Sequence, residues 1–276
     1  DRPGIAVGFI AGMIANNQGS GFLGGMIGGL FAGYVVQLIK MIKLPNAVRS
    51  LMPVLVIPLL GTFVVGLGMT YVLGGPVAWL NQAMLNWLNN LGKAGGILLG
   101  IVQGAMLAFD MGGPVNKAAY AFALAASEGG NWGPMAANFI ASMSPPAGIA
   151  LALALYKKKW TKVERDGIGG SVIGGLCMIT EFAIPYAAAD PLRVLPATMG
   201  GAAVGAALSY VFGLTLSAPH GGLFVIALAN KPLLWLLVFA IAIVVTALLL
   251  GVLKKDVTEV EEDIISLDES SETPAA

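Results

Sequence analysis

Charge is what this sequence has least of. Asp, Glu, Lys and Arg together make up 11% of its 276 residues, against about 25% in an ordinary soluble domain. Apolar residues fill 57%, more hydrocarbon than a soluble fold of this size hides, so a soluble enzyme is excluded at the outset. One cysteine, Cys177, rules out a disulfide framework and a multi-cysteine metal site. The only histidine, His220, has no other metal ligand nearby in sequence, which argues against a metal centre. No P-loop, GxSxG elbow or HExxH helix occurs, so neither metal nor cofactor is expected. The 15 basic and 15 acidic residues cancel, which gives no reason to expect a nucleic-acid partner. No signal peptide is legible, and an opening on Asp1 reads as the inside of a longer, N-terminally truncated polypeptide.

What the sequence has is long apolar runs. A spanning helix needs about 20 apolar residues, and candidates extend over Phe22 to Ile39, Leu51 to Leu73, Met135 to Tyr156, Pro191 to Leu216 and Pro232 to Leu253. Ile5 to Ala15 is shorter and fits a half-span or a helix end. Thirty-eight glycines and 15 prolines are spread through these runs, as in helices that pack closely or break inside a bilayer. Gly21, Gly24, Gly25, Gly28, Gly29 and Gly33 recur at helical spacing, a pattern open to two uses: packing within the chain or contact with a second copy. Pro53 and Pro58 are expected to bend the Leu51 helix. From Pro76 to Leu91, Trp79, Leu80, Ala83, Met84, Trp87 and Leu88 alternate with Asn and Gln, which predicts an amphipathic helix along the interface.

Basic residues cluster at Lys40, Lys43 and Arg49, at Lys157 to Arg165, and at Lys254 and Lys255, and the positive-inside rule puts all three clusters in the cytoplasm. Two apolar segments are interrupted. Gly96 to Ser127 carries Asp110, Pro114, Asn116 and Lys117 at its middle, and Gly167 to Ala189 carries Glu181 and Pro185. Charge and broken backbone are tolerated at membrane depth only beside protein or a water-filled cavity, so both segments are expected to be re-entrant hairpins. That makes the crossings between basic clusters even in number and places the hairpins on opposite faces, an arrangement suited to alternating access. The acidic stretch after Lys255 reads as a cytoplasmic tail.

Glu181 is the first candidate for function, because a carboxylate among apolar neighbours can accept two sugar hydroxyls at once. His220, in Ser217-Ala-Pro-His-Gly-Gly, sits in a broken turn able to offer imidazole and backbone groups to a polar ligand. Asn116 has donor and acceptor capacity for hydroxyls, with turn capping as the alternative. Asp110 and Lys117 are expected to pair, or Lys117 to meet Asp190; Asp190 and Arg193 flank Pro191 at a membrane boundary.

Three segments, Phe109-Asp-Met-Gly-Gly-Pro-Val-Asn-Lys-Ala-Ala-Tyr, Ile179-Thr-Glu-Phe-Ala-Ile-Pro-Tyr-Ala-Ala-Ala-Asp-Pro-Leu-Arg and Ala218-Pro-His-Gly-Gly, closely resemble the fructose family of the phosphotransferase system's membrane (IIC) components. Phe182 departs from that pattern, which usually has glycine there. The resemblance implies an all-α integral membrane protein of the bacterial inner membrane, a multi-span, elevator-type sugar permease with two hairpins and a cytoplasmic C-terminus. It further implies a homodimer, with residues 1–93 as scaffold, 94–253 as transport domain and 254–276 as tail. Glu181, His220, Asn116, Thr180 and Gly221 would hold fructose or a related hexose, and Glu181 would act catalytically as proton acceptor. Asp110, Lys117, Pro185 and Asp190 would shape the hairpins, while a phosphocysteine on a separate IIB domain would donate phosphate. On the residues alone, an ion-coupled or facilitative transporter and a membrane sugar sensor stay open as alternatives.

Overall fold

The structure, a computed structural model, describes residues 2–42, 45, 50–90 and 93–257. The predicted acidic tail from Thr258, together with Lys43 and Arg49, lies outside them. The described backbone is almost wholly helical, with one isolated bridge between Leu216 and Ala229. Among the described residues, five helical stretches are long and apolar enough to span a bilayer: Gly21–Lys40, Met52–Met84, Gly133–Leu155, Pro191–Val211 and Pro232–Leu253. This is an all-α membrane protein.

The chain divides into two compact units, Asp1–Asn90 with Leu124–Gly130, and Leu91–Ala123 with Asn131–Ala276. In the first, α1 (Arg2–Asn17), α2 (Gly21–Lys40) and α3 (Ile57–Gly68) pack against one another. Glycine permits the close approach. A Cβ at Gly61 would lie 2.7 Å from Val7, and one at Gly28 would lie 3.1 Å from Ala11 and Met69. Gly24 and Gly28 thus serve packing within the chain, while Gly25, Gly29 and Gly33 face open space. No loop separates α3 from α4 (Gly74–Asn89), the stretch expected as a separate amphipathic helix along the interface; the helical stretch instead runs on from Met52 to Met84 and is long and apolar enough to span. A π turn, Met69–Leu73, joins them, and another, Met52–Val56, precedes α3. Pro53 lies within the Met52–Val56 turn, and Pro58 and Pro76 follow just after a wider turn, at the starts of α3 and α4, since their missing amides and bulky rings fit a regular helix poorly. Leu124–Gly130 belongs to this unit, and within it the Glu128 carboxylate accepts the Phe22 amide at the start of α2.

The second unit is built around α7 (Gly133–Leu155), most of whose residues are buried. It is apolar on all sides, as expected of a helix enclosed by others. Around it stand α5 (Lys93–Phe109), α9 (Ile168–Cys177), α11 (Pro191–Val211) and α12 (Pro232–Leu253). α5 and α11 touch nearly backbone to backbone: a Cβ on Gly100 would sit 2.6 Å from the Ala207 Cα, and one on Gly104 would sit 2.7 Å from the Ala203 Cα. Gln103 ties three helices together, donating to the Pro134 carbonyl (2.9 Å) and accepting from the Tyr210 hydroxyl (2.8 Å).

Pro145 and Pro146, inside α7, have no amide to offer the carbonyls of Ala141 and Ser142. Away from water such orphaned acceptors need other donors. Ser144 Oγ reaches the Ala141 carbonyl at 3.4 Å, and Thr180 Oγ1 donates to the Ser142 carbonyl at 2.9 Å. The proline pair of α7 thereby anchors the segment that carries Glu181.

Candidate functional site

The second interrupted segment folds back on itself. α9 ends at Cys177, Met178 adopts a left-handed conformation (φ 63°), and a 3-10 turn, Thr180–Ala183, leads into α10 (Ile184–Ala189). Pro185 falls at the start of α10, where an amide would lack an intrahelical partner anyway. On the return, Phe182 packs against Gly170 and Gly174. The Tyr186 hydroxyl accepts from Ser171 Oγ (3.1 Å) and donates to the Glu164 carbonyl (3.2 Å). The tip of this fold presents Glu181.

The first interrupted segment breaks between Phe109 and Pro114, where α6 (Pro114–Glu128) begins. Its two helices are joined at the break but do not pack along their lengths. Here the structure corrects the expected Asp110–Lys117 pair. Asp110 Oδ2 accepts the Val115 amide (2.7 Å) and Oδ1 the Asn116 amide (2.9 Å). A carboxylate at a helix start is stabilised by the free amides and by the positive end of the helix dipole, so its oxygens are already engaged. Asn116 is 5% exposed, and its Nδ2 donates to the Leu107 carbonyl at 2.5 Å. It closes the break from inside.

Lys117 instead reaches Glu181, with Nζ 3.5 Å from Oε1 and side chains 62% and 46% exposed respectively. Asp190 is engaged elsewhere, with Arg193 at 3.1 Å and Lys254 at 3.9 Å. Backbone from the first break also bears on Glu181. Gly112 (φ +114°) approaches so closely that a Cβ there would collide with the carboxylate. Both non-glycine residues with positive φ among those described, Met111 and Met178, belong to these two breaks. Such backbone is costly and persists where surrounding structure enforces it, often at functional sites.

α6 gathers the rest. Tyr120, one turn beyond Lys117 and on the same face, donates its hydroxyl to the Pro219 carbonyl at 2.8 Å. The His220 loop, spanning the gap between α11 and α12, is therefore held by the helix that supplies the partner of Glu181. Its base is closed by Asn230, which accepts the Thr215 amide and donates to the Gly213 carbonyl. Gly221 (φ +132°) and Gly222 (φ +61°) allow the turn, and Gly222 abuts the end of α9. His220 is exposed, with Nδ1 accepting the Gly221 amide at 2.9 Å. Thr180 is 4% exposed, and its hydroxyl is committed to Ser142. Of the proposed sugar ligands, Glu181 and His220 are open, Gly221 is partly covered, and Asn116 and Thr180 support them from within.

A cavity of about 1330 Å³ runs from Glu181, Phe182 and Pro185 to Lys159, Lys254, Lys255 and Asp256. At that far end two of the predicted basic clusters meet. Lys254, 7% exposed, pairs with Glu164 at 3.1 Å and lies 4.2 Å from the centre of the Trp160 ring. Lys159 donates to the Lys254 carbonyl and lies 3.4 Å from Asp256, and the Val257 amide donates to the Lys158 carbonyl at 2.9 Å. Glu164 also completes a capping box with Thr161 at the start of α8 (Lys162–Asp166). These contacts place the C-terminal ends of α7 and α12 at one pole of the unit.

Two broken segments joined by an exposed ion pair, with Glu181 lining a cavity and five potential spans among the described residues, define a helical membrane protein of the kind that builds polar sites from interrupted helices. The chain belongs to the EIIC family of the phosphotransferase system, whose family model, "Phosphotransferase system, EIIC", matches residues 6–212. It is 47% identical over 261 residues to the "PTS system fructose-specific EIIABC component" of Bacillus subtilis (strain 168), covering 94% of this chain and 41% of that protein. It is 46% identical over 261 residues to the "Fructose permease IIC component" of Bacillus amyloliquefaciens, covering 94% and 86%. To the "Fructose-like permease IIC component 2" of Escherichia coli (strain K12) it is 36% identical over 274 residues, covering 97% and 76%. The chain thus spans under half of the first relative and most of the other two. No solved structure matches it significantly.

Proposed function

We propose that this chain is the sugar-translocating component of a fructose-type phosphotransferase permease. In this reading it carries fructose or a related hexose across the bacterial inner membrane while a phosphocysteine on a IIB domain phosphorylates the sugar. One observation carries the reading: the Glu181–Lys117 pair joins the two broken segments and is left uncovered by the rest of the chain, and Glu181 lines a cavity that reaches a basic pole. An ion pair left this uncovered contributes little to folding. An exposed one is available to exchange its internal contact for sugar hydroxyls, with Glu181 accepting and Lys117 donating. The names of the relatives supply the sugar and the coupling.

The basic pole would lie in the cytoplasm by the positive-inside rule, so the cavity would lead from the sugar towards the donor. Catalysis by this chain would then be positioning: a fixed hydroxyl presented to the phosphocysteine, with Glu181 taking its proton. Re-entrance of the two broken segments, an elevator-like movement of residues 94–253 as transport domain with residues 1–93 as scaffold, and a homodimer belong to the same proposal. The test uses membranes carrying the full-length protein, supplied with labelled fructose, mannose or mannitol, phosphoenolpyruvate and the soluble phosphotransfer proteins. Sugar phosphate should form only when every component is present. Accumulation of unmodified sugar driven by an ion gradient would overturn the reading.

A further inference from the structure

The wall of the cavity next to Glu181 is aromatic, and the site described so far makes no use of it. Phe182 follows Glu181 in the 3-10 turn, where successive residues point about 120° apart, and both side chains line the cavity. The phenyl group rests on α9 at Gly170 and Gly174, one helical turn apart on the same face. A Cβ on Gly174 would lie 2.6 Å from that of Phe182, and one on Gly170 would lie 3.1 Å from its ring. Bare helix backbone therefore supports the side chain from behind, while 37% of the residue stays accessible. Two glycines are needed to admit the ring, and they hold it in place beside the carboxylate.

A hexose carries hydroxyls at its edge and C–H groups across its faces. The hydroxyls match Glu181 and Lys117, whereas the faces need an apolar partner. An aromatic ring supplies one, since its negatively charged face attracts weakly positive C–H groups. We propose that Phe182 determines sugar specificity, forming the platform on which the C–H face of the sugar rests while Glu181 holds the hydroxyls. Its bulk limits what the site admits, turning away sugars with a large substituent on that face. This inference rests on the reading of Glu181 as a sugar-binding residue.

The test compares wild type with Phe182→Leu, Phe182→Met and Phe182→Tyr in the phosphorylation assay, with melting in detergent measured in parallel. Leu and Met keep much of the volume without the ring, and using both guards against one of them failing to fold. Each should raise KM for fructose about threefold to tenfold, the scale of a lost aromatic contact, with kcat within about twofold. Phe182→Tyr, which keeps the ring, should stay near wild type. A further variant, Phe182→Gly, should let bulkier hexose derivatives compete with fructose where they do not compete in wild type. If folded Leu and Met variants keep wild-type KM and sugar preference, the platform is refuted while the permease reading stands. If the wild type forms no sugar phosphate at all, the permease reading fails and takes the platform with it.

Discussion

Replacing Glu181 separates a sugar ligand from a structural acid. Its ion pair with Lys117 is exposed on both sides, 46% and 62%, and exposed pairs contribute only ~0–1 kcal/mol to stability. Hydrogen bonds to a charged group contribute about 1.5–3 kcal/mol each. If the carboxylate accepts two sugar hydroxyls, their loss costs about 3–6 kcal/mol, or roughly 10²–10⁴ in kcat/KM at 1.4 kcal/mol per tenfold. Glu181→Gln keeps one acceptor oxygen and should fall near 10², while Glu181→Ala should approach the upper figure. Melting in detergent should move by less than about 3 °C for both, given the small worth of the pair. Phosphorylation of labelled fructose and a thermal unfolding assay on the same preparation give the two readouts. A Glu181→Gln protein that phosphorylates within threefold of wild type yet melts much lower would refute the reasoning and make Glu181 a folding residue.

Gly112→Ala combines a disfavoured φ of +114° with a clash against Glu181. It should cost about 1–3 kcal/mol and most of the transport activity, whereas Gly169→Ala, with nothing within 4 Å, should leave both unchanged; uptake and melting check the contrast. Thr180→Val strips the donor from the Ser142 carbonyl that Pro146 cannot satisfy, at a cost of about 1–3 kcal/mol. In a Pro146→Ala background, where the helix regains its own amide donor, the same change should cost much less, and a double-mutant cycle on melting measures the coupling. Lys254→Met leaves Glu164, 14% exposed, without its buried cation, while Asp190 keeps Arg193. It should destabilise the protein by about 3–5 kcal/mol, and an unchanged melting temperature would show that the cluster is not held by charge.

Much of the fold was legible because hydrocarbon length in a bilayer is a one-dimensional property. A helix spans if enough consecutive residues are apolar, and the Pro232 to Leu253 run is reproduced by α12 to the residue. The two interrupted segments were equally visible, since charge and proline in an apolar stretch need no alignment to be noticed. Spatial pairing was another matter. Lys117 has Asp110 seven residues before it and Glu181 64 residues after it; sequence distance favoured the wrong carboxylate because it cannot register that two amides of α6 already occupy Asp110.

Composition and periodicity by themselves determined that this chain lives in a membrane, where its long helices lie, and that Glu181 and His220 are the polar groups to explain. Tertiary structure alone decided which polar groups are free. Asn116 and Thr180 have the chemistry of sugar ligands, but a helix end and an internal proline leave carbonyls that must find donors, and these two side chains supply them at Leu107 and Ser142. Phe182 stood out in the sequence as a departure from the family pattern, but only the structure put Gly170 and Gly174 beneath its ring. The physical reason is the same in each case: a side chain's chemistry is written in its own residue, but whether that chemistry is already spent depends on neighbours brought close by folding.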